Sequence, residues 1–268
     1  MTDSLAISLE RCLSPAYPWK EKLIILDNVD STNTYLKQLA SGGAPHGTVV
    51  LAEQQTAGRG RLGRSFQSPA QMGIYLSMLL RPQCSPGALM HLTCATAVAM
   101  CDALQSATGL RPGIKWTNDL IYGNRKVAGI LTEMGISADG KLDYAIVGIG
   151  VNCCQQEEDF PPELQTMATS LSMVSQLPVF RGKVAAAMME CLCDMSQTLL
   201  TGKADMLRSY RRDCITLGKD VSILRADTVS HGKAIDIGQD GDLIVQTPEG
   251  IVSVSSGEVS VRGMYGYI

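Results

Sequence analysis

A chain of 268 residues with 45% hydrophobic and 18% charged side chains can bury a sizeable core, which excludes wholesale disorder and fits one large domain with a small one attached. The net charge of -3 excludes a global pull toward nucleic acid or an anionic membrane. From Cys214 onward four Lys/Arg face seven Asp/Glu, so the acidity sits in the tail.

In chain order, residues 22–29 form a short apolar strand ending in Asp30-Ser31-Thr32-Asn33. That polar cluster suits the N-cap of a helix through Tyr35-Leu36-Lys37-Gln38-Leu39, closed by Gly42-Gly43. Residues 48–52 and 74–80 read as strands, and residues 86–107 as a long helix rich in Ala, Met and Leu. Strands are expected at 114–116, 119–122, 127–134 and 142–151, with turns at Gly123-Asn124 and Asp139-Gly140. Helices follow at 179–200 and 204–212. After Cys214 short β-type runs at 220–224, 233–237, 243–246 and 251–254 alternate with Gly/Asp turns, the spacing of a small antiparallel barrel. The fold class is therefore α+β: a mixed, largely antiparallel sheet flanked by helices over residues 1–213, then a small barrel domain over residues 214–268.

The nine cysteines form no C-x-x-C pair, and no histidine lies at zinc-site spacing. Cys191 and Cys193, two helical steps apart, point about 200° away from each other. They read as small apolar core residues in a reducing compartment. No basic segment precedes an apolar one at the N-terminus and no apolar run has membrane-spanning length, so the chain reads as cytoplasmic with no membrane partner.

The segment 55–69 carries three glycines, three arginines and no acid. Its core, Gly58-Arg59-Gly60-Arg61-Leu62-Gly63-Arg64, satisfies G-x-G-x-x-G, but Ser65-Phe66-Gln67-Ser68-Pro69 follows instead of a helix, which rejects a dinucleotide fingerprint. A phosphate loop with its lysine is also absent. What remains is a loop that gathers forked guanidinium donors and accessible backbone N–H groups, suited to a small polyanion. A solvated basic loop and an RNA contact are the other readings. Further on, Lys115-Trp116-Thr117-Asn118-Asp119 precedes Arg125-Lys126-Val127-Ala128-Gly129-Ile130-Leu131, so Asp119 and Lys126 should meet across a hairpin, either as a structural ion pair or as part of a site. Gly148-Ile149-Gly150-Val151-Asn152 ends a strand with glycines spaced as if a ligand approached the backbone.

These motifs, in this order, resemble those of the biotin–protein ligases from about Lys22 to the C-terminus, and Ser256-Gly257-Glu258-Val259-Ser260-Val261-Arg262 resembles the closing strand of that family. The C-terminal barrel would then be SH3-like. The resemblance implies a ligase that joins biotin and ATP into biotinyl-5'-adenylate and passes the biotin to a lysine of a biotin carboxyl carrier protein. It implies that Lys126, Arg59 and Arg61 are catalytic. It implies that Ser31, Thr32, Asn33, Gln55, Arg59, Gly60, Arg61, Lys126 and Gly129 hold biotin. Arg61, Arg64, Phe66, Asn118, Asp119, Lys126 and Asn152 would hold ATP, with Asp119 on Mg2+. Too few residues precede Asp30 for the helix-turn-helix domain of bifunctional members, which implies the single-function class without DNA as a partner; a homodimer is open. His46, His91 and His231 fall outside every motif, so none is expected as a base. A lipoate or octanoate ligase or transferase of the same architecture is the nearest alternative. An RNA-binding module would need a wider basic surface and more aromatics than this chain has.

Overall fold

The computed structural model describes residues 4–225, 228–255 and 260–263. Strands β1 (Leu23–Val29), β2 (Val49–Gln55), β3 (Gly73–Leu80), β4 (Gly113–Lys115), β5 (Asp119–Tyr122), β6 (Arg125–Ile136) and β7 (Leu142–Asn152) build one seven-stranded sheet in the order β1-β2-β3-β7-β6-β5-β4. β1 and β2 pair in parallel and every other neighbour is antiparallel. A parallel pair needs a crossover, and helix α2 (Thr32–Ser41) supplies it. The mixed, largely antiparallel sheet is the one anticipated.

Ser31 stands at the N-cap position of α2, but its side chain makes no capping bond. The cap comes from β2 instead: Thr32 donates to Gln55 Oε1 from both its backbone N–H (2.9 Å) and its hydroxyl (3.0 Å). This corrects the capping expectation and leaves Ser31 free for another role. The long apolar helix is also shorter than expected. A 3-10 turn at Pro86–Leu89 precedes helix α3 (Leu92–Thr108), which stops where Gly109 takes φ +77. Pro86–Thr108 is apolar enough by composition to cross a membrane, yet most of it is buried against helices α5 (Arg181–Thr198) and α6 (Lys203–Asp213) and strand β6.

Two helices were not anticipated. α1 (Leu5–Cys12) buries Leu5 and Leu9 and packs on α5; the i, i+4 spacing of Leu5, Leu9 and Leu13 carries its signal. α4 (Leu171–Val174) is a single turn capped by the Ser170 hydroxyl.

Strand alternation gives the large sheet two unlike faces. On one, Leu51, Leu76, Met78, Val147 and Ile149 share the main core with residues of α1, α3, α5 and α6. On the other, Val50, Leu79 and Ile146 pack against Leu36 and Ala40 of α2. α2 covers only part of this face, and the uncovered rows form the floor of a cleft.

Strands β8 (Asp220–Arg225), β9 (Thr228–Ile237), β10 (Leu243–Thr247), β11 (Gly250–Val254) and β12 (Ser260–Gly263) form a five-stranded antiparallel sheet, ordered β11-β10-β9-β8-β12, where the barrel was expected. Residues 256–259 of the expected closing segment lie outside the described residues. This sheet shares the main core through Val221, Ile223, Ile237, Leu243 and Val245. It is docked by polar contacts as well: Trp116 Nε1 donates to Gly241 O (2.9 Å), Lys203 pairs with Asp240 (2.8 Å) and Arg211 with Asp236 (2.7 Å).

Candidate active site

The register of three strands builds the cleft floor. Ser77 on β3, Gly148 on β7 and Leu131 on β6 lie in one row. Tyr75, Gly150, Gly129 and, on β5, Asp119 lie in the next. The missing side chains leave the floor bare, and the protein itself takes the space. A Cβ on Gly148 would stand 2.0 Å from Asn33 Oδ1, and one on Gly150 would stand 2.4 Å from the Phe66 ring. The glycines line the cleft, where a ligand approach to the backbone was expected, and they also make room for Asn33 and Phe66. Gly148→Ala should cost about 1–3 kcal/mol through overpacking, because the Asn33 amide is held on both sides. An unchanged urea midpoint for that variant would mean that Asn33 swings away freely.

The cleft opens to solvent, and its empty space, the open mouth included, is about 320 Å³. Ser31, Thr32, Asn33 and Gln55 line one side; Arg59, Phe66 and Gly129 line the other. Seven of the expected site residues therefore converge here, including Phe66, which the resemblance assigned to the nucleotide. Phe66 is held edge-on to Tyr75, with ring centroids 6.5 Å apart.

The polar wall is short of hydrogens. Thr32 Oγ1 lies 3.0 Å from Gln55 Oε1 and 2.8 Å from Ser77 Oγ, and Ser77 Oγ lies 2.6 Å from Asn33 Oδ1. Two hydroxyl hydrogens serve these three contacts. The Gln55 and Asn33 amides cannot flip to help. Gln55 Oε1 takes the Thr32 N–H, while Asn33 Nδ2 donates to Glu133 Oε2 (2.9 Å) and Leu131 O (3.3 Å). The wall is rich in acceptors and suits a ligand that brings N–H groups.

Beside the cleft lie the cations. Lys126 Nζ is 2.6 Å from Asp119 Oδ1 and 5.9 Å from the Phe66 centroid. It reaches Asp119 by lying over Gly129, where a Cβ would come within 2.9 Å of Nζ. The hairpin meeting of Asp119 and Lys126 is as the sequence led one to expect. Arg61 Nη1 donates to Asn118 Oδ1 (2.9 Å); burial pushes its pKa down while Asp119 opposes that, and the guanidinium stays charged. Arg59 pairs with Glu133 (3.2 Å), and Arg64 is exposed. The loop is a closed turn: Gly60 N–H donates to Arg64 O (2.7 Å), Phe66 N–H donates to Gly58 O (2.9 Å), and Leu62 and Gly63 both take positive φ. Gly60 and Arg61 stand outside the cleft lining, on the side of Asn118.

Asn152 is buried, donating to Thr169 O (3.0 Å) and accepting from Gln155 Nε2 (3.3 Å). Thr169 belongs to a strap that grips the Lys126 backbone, with Lys126 N–H donating to Met167 O and Thr169 N–H to Lys126 O, both at 2.8 Å. Sequence reasoning missed this strap, together with Ser77, Lys37 and Glu133. Strand alternation could have found Glu133, since it shares a face with Gly129 and Leu131. Ser77 stands out only as a hydroxyl in the apolar run of β3. His91 is buried with Nε2 2.9 Å from Leu199 O, and His46 bonds the Arg81 backbone; neither lines the cleft. Among the described residues no group of three or more His, Cys, Asp or Glu converges to hold a metal.

The biotin/lipoate A/B protein ligase family model matches residues 25–152, and the biotin protein ligase C terminal domain model matches residues 216–262. The bifunctional ligase/repressor BirA of Bacillus subtilis is 34% identical to the chain over 242 residues, which is 90% of this chain and 74% of that protein. The biotin--[acetyl-CoA-carboxylase] ligase of Paracoccus denitrificans is 32% identical over 248 residues, 89% of this chain and 100% of that protein. Among solved structures, biotin protein ligase from Aquifex aeolicus in complex with biotin and ATP aligns with a TM-score of 0.78 at 30% identity, covering 90% of this chain and 98% of that one.

Proposed function

We infer the activity from one premise: the chain belongs to the biotin/lipoate A/B protein ligase family, and its relatives are biotin ligases. It activates biotin with ATP and transfers it to a lysine of a biotin carboxyl carrier protein in the cytoplasm. The ligase domain spans residues 1–213 and the C-terminal domain residues 214–268. The observation that carries the choice of substrate is the acceptor-rich wall of Thr32, Asn33 and Gln55, backed by the buried Ser77, which the N–H groups of a cyclic urea would suit. The apolar head of lipoate or octanoate brings no donor for the remaining lone pairs of those oxygens. An RNA reading finds no support in a basic segment folded back on a small cleft.

In the first step a biotin carboxylate oxygen bonds to the α-phosphorus of ATP, and the bond to the β-phosphate oxygen breaks to release pyrophosphate. Two anions must meet, so fixed cations are required. Lys126, held in place by Asp119, and Arg61, tethered by Asn118, supply them at the reacting oxygens. Arg59 covers the acyl end, and exposed Arg64 meets the departing pyrophosphate. Asn118 and Asn152 stand on the nucleotide side, where Asn152 also secures the strap behind Lys126. In the second step the acceptor amine attacks the acyl carbon and AMP leaves. Mg2+ typically takes one or two carboxylates with substrate phosphates, so Asp119 fits as a single ligand alongside the polyphosphate. The ion would offset charge on the leaving group.

Purified protein should release pyrophosphate from ATP in the presence of biotin, and should label a carrier domain. Turnover with lipoate or octanoate but not biotin would overturn the reading. Arg61→Gly should let the adenylate escape, seen as biotin on lysines of bystander albumin. Labelling confined to the carrier domain would remove Arg61 from the residues that retain the adenylate.

A further inference from the structure

Glu133 lies outside every motif that the sequence singles out, yet three side chains from two other elements converge on its carboxylate. On its own strand it shares a face with Gly129 and Leu131. From α2, Lys37 Nζ approaches Oε1 at 2.6 Å and Asn33 Nδ2 donates to Oε2 at 2.9 Å. From the arginine loop, Arg59 Nη2 stands 3.2 Å from Oε1. The Glu133 side chain is 17% exposed, so this is a mostly buried charge with two cations and one amide aimed at it. Burial opposes its ionisation, but the bonds from Lys37 and Asn33 and the charges of Lys37 and Arg59 outweigh that and hold the carboxyl below its ordinary range.

An ionised carboxylate accepts hydrogen bonds and cannot donate one. Glu133 therefore admits only the NH2 end of the Asn33 amide, and Leu131 O takes the second hydrogen at 3.3 Å. The other end, Oδ1, is forced toward Ser77 and over Gly148, into the wall already short of hydrogens. We propose that Glu133 is a positioning residue that locks the Asn33 amide with its oxygen inward, and so makes the cleft select an acyl substrate whose head carries N–H donors. This rests on the reading of the site as a biotin pocket. Glu133→Gln keeps the shape but offers an NH2 of its own, so only the long 3.3 Å bond to Leu131 O still resists Asn33 turning its oxygen outward and its own NH2 into the wall.

The test measures pyrophosphate release by the full chain for wild type, Glu133→Gln, Asn33→Ala and the double variant, with biotin and ATP each varied. Glu133→Gln should raise KM for biotin at least about tenfold while KM for ATP and kcat change less than about threefold. In the Asn33→Ala background the same change should add less than about twofold, because its effect passes through Asn33. A biotin KM unchanged by Glu133→Gln, or a double variant equal to the product of the singles, overturns the proposal. Lys37→Met guards against a Glu133 variant that fails to fold. Removing that cation raises the Glu133 pKa, so the fall in kcat/KM for biotin toward acid pH should begin at higher pH than in wild type. An unmoved acid limb overturns the proposal as well. Wild-type protein that releases no pyrophosphate with biotin fells the functional reading and this inference with it. Active wild type with an indifferent Glu133→Gln fells only the inference.

Discussion

Lys126→Ala should slow adenylate formation by on the order of 10²–10³, the usual cost of removing one preorganised donor from a site of developing charge. On the proposed mechanism the loss belongs in kcat, because there the ammonium would meet the carboxylate and α-phosphate oxygens as charge builds between them. Its placement is over-determined. The strap at Met167 and Thr169 fixes the backbone, Gly129 clears the path of the side chain, and Asp119 holds the amine at 2.6 Å. The variant also removes the part-buried Asp119–Lys126 ion pair, so some stability goes with the activity. Single-turnover release of pyrophosphate at saturating biotin and ATP gives the rate directly. A rate within threefold of wild type would show that Lys126 is a structural ion-pair partner only.

Trp116→Ala should be the most destabilising of the single substitutions, by about 3–5 kcal/mol for a buried aromatic residue. Trp116 is 4% exposed and donates twice, its indole N–H to Gly241 O and its backbone N–H to Thr216 Oγ1. Deleting the ring opens a cavity beneath the C-terminal sheet and strips a buried carbonyl of its donor. Two residues along the chain, Asn118 holds Arg61, so slack at Trp116 should reach the arginine loop and raise KM for ATP before it affects biotin. Urea unfolding gives the first number and initial-rate kinetics the second. A stability change under about 1 kcal/mol with unaltered ATP kinetics would mean that the C-terminal sheet is a passive neighbour of the site.

Local pattern carried much of the architecture. Alternation and turn residues were enough to mark the strands of the large sheet, because each signal sits within a few residues of its neighbour. The Asp119–Lys126 pair was legible for the same reason: one two-strand hairpin brings it together. The family motifs pointed to Ser31, Thr32, Asn33, Gln55 and Phe66, and the structure gathers them around one cleft. Helix α1 was missed although its leucine spacing was in plain view.

By itself, then, the sequence determined the strands of the large sheet and the long helices, which residues carry charge, and where the bare glycine positions fall. Only the tertiary structure decided what those positions face. The strand order β3-β7-β6 sets Gly148 between Ser77 and Leu131, and the crossover through α2 lays Asn33 upon it. Gln55 caps α2 in place of Ser31, and Glu133 orients Asn33 across 100 residues of chain. Contacts so distant in sequence leave no periodic trace. They depend on how strands are ordered in the sheet, which is settled by packing of the whole core and not by the preference of any single segment.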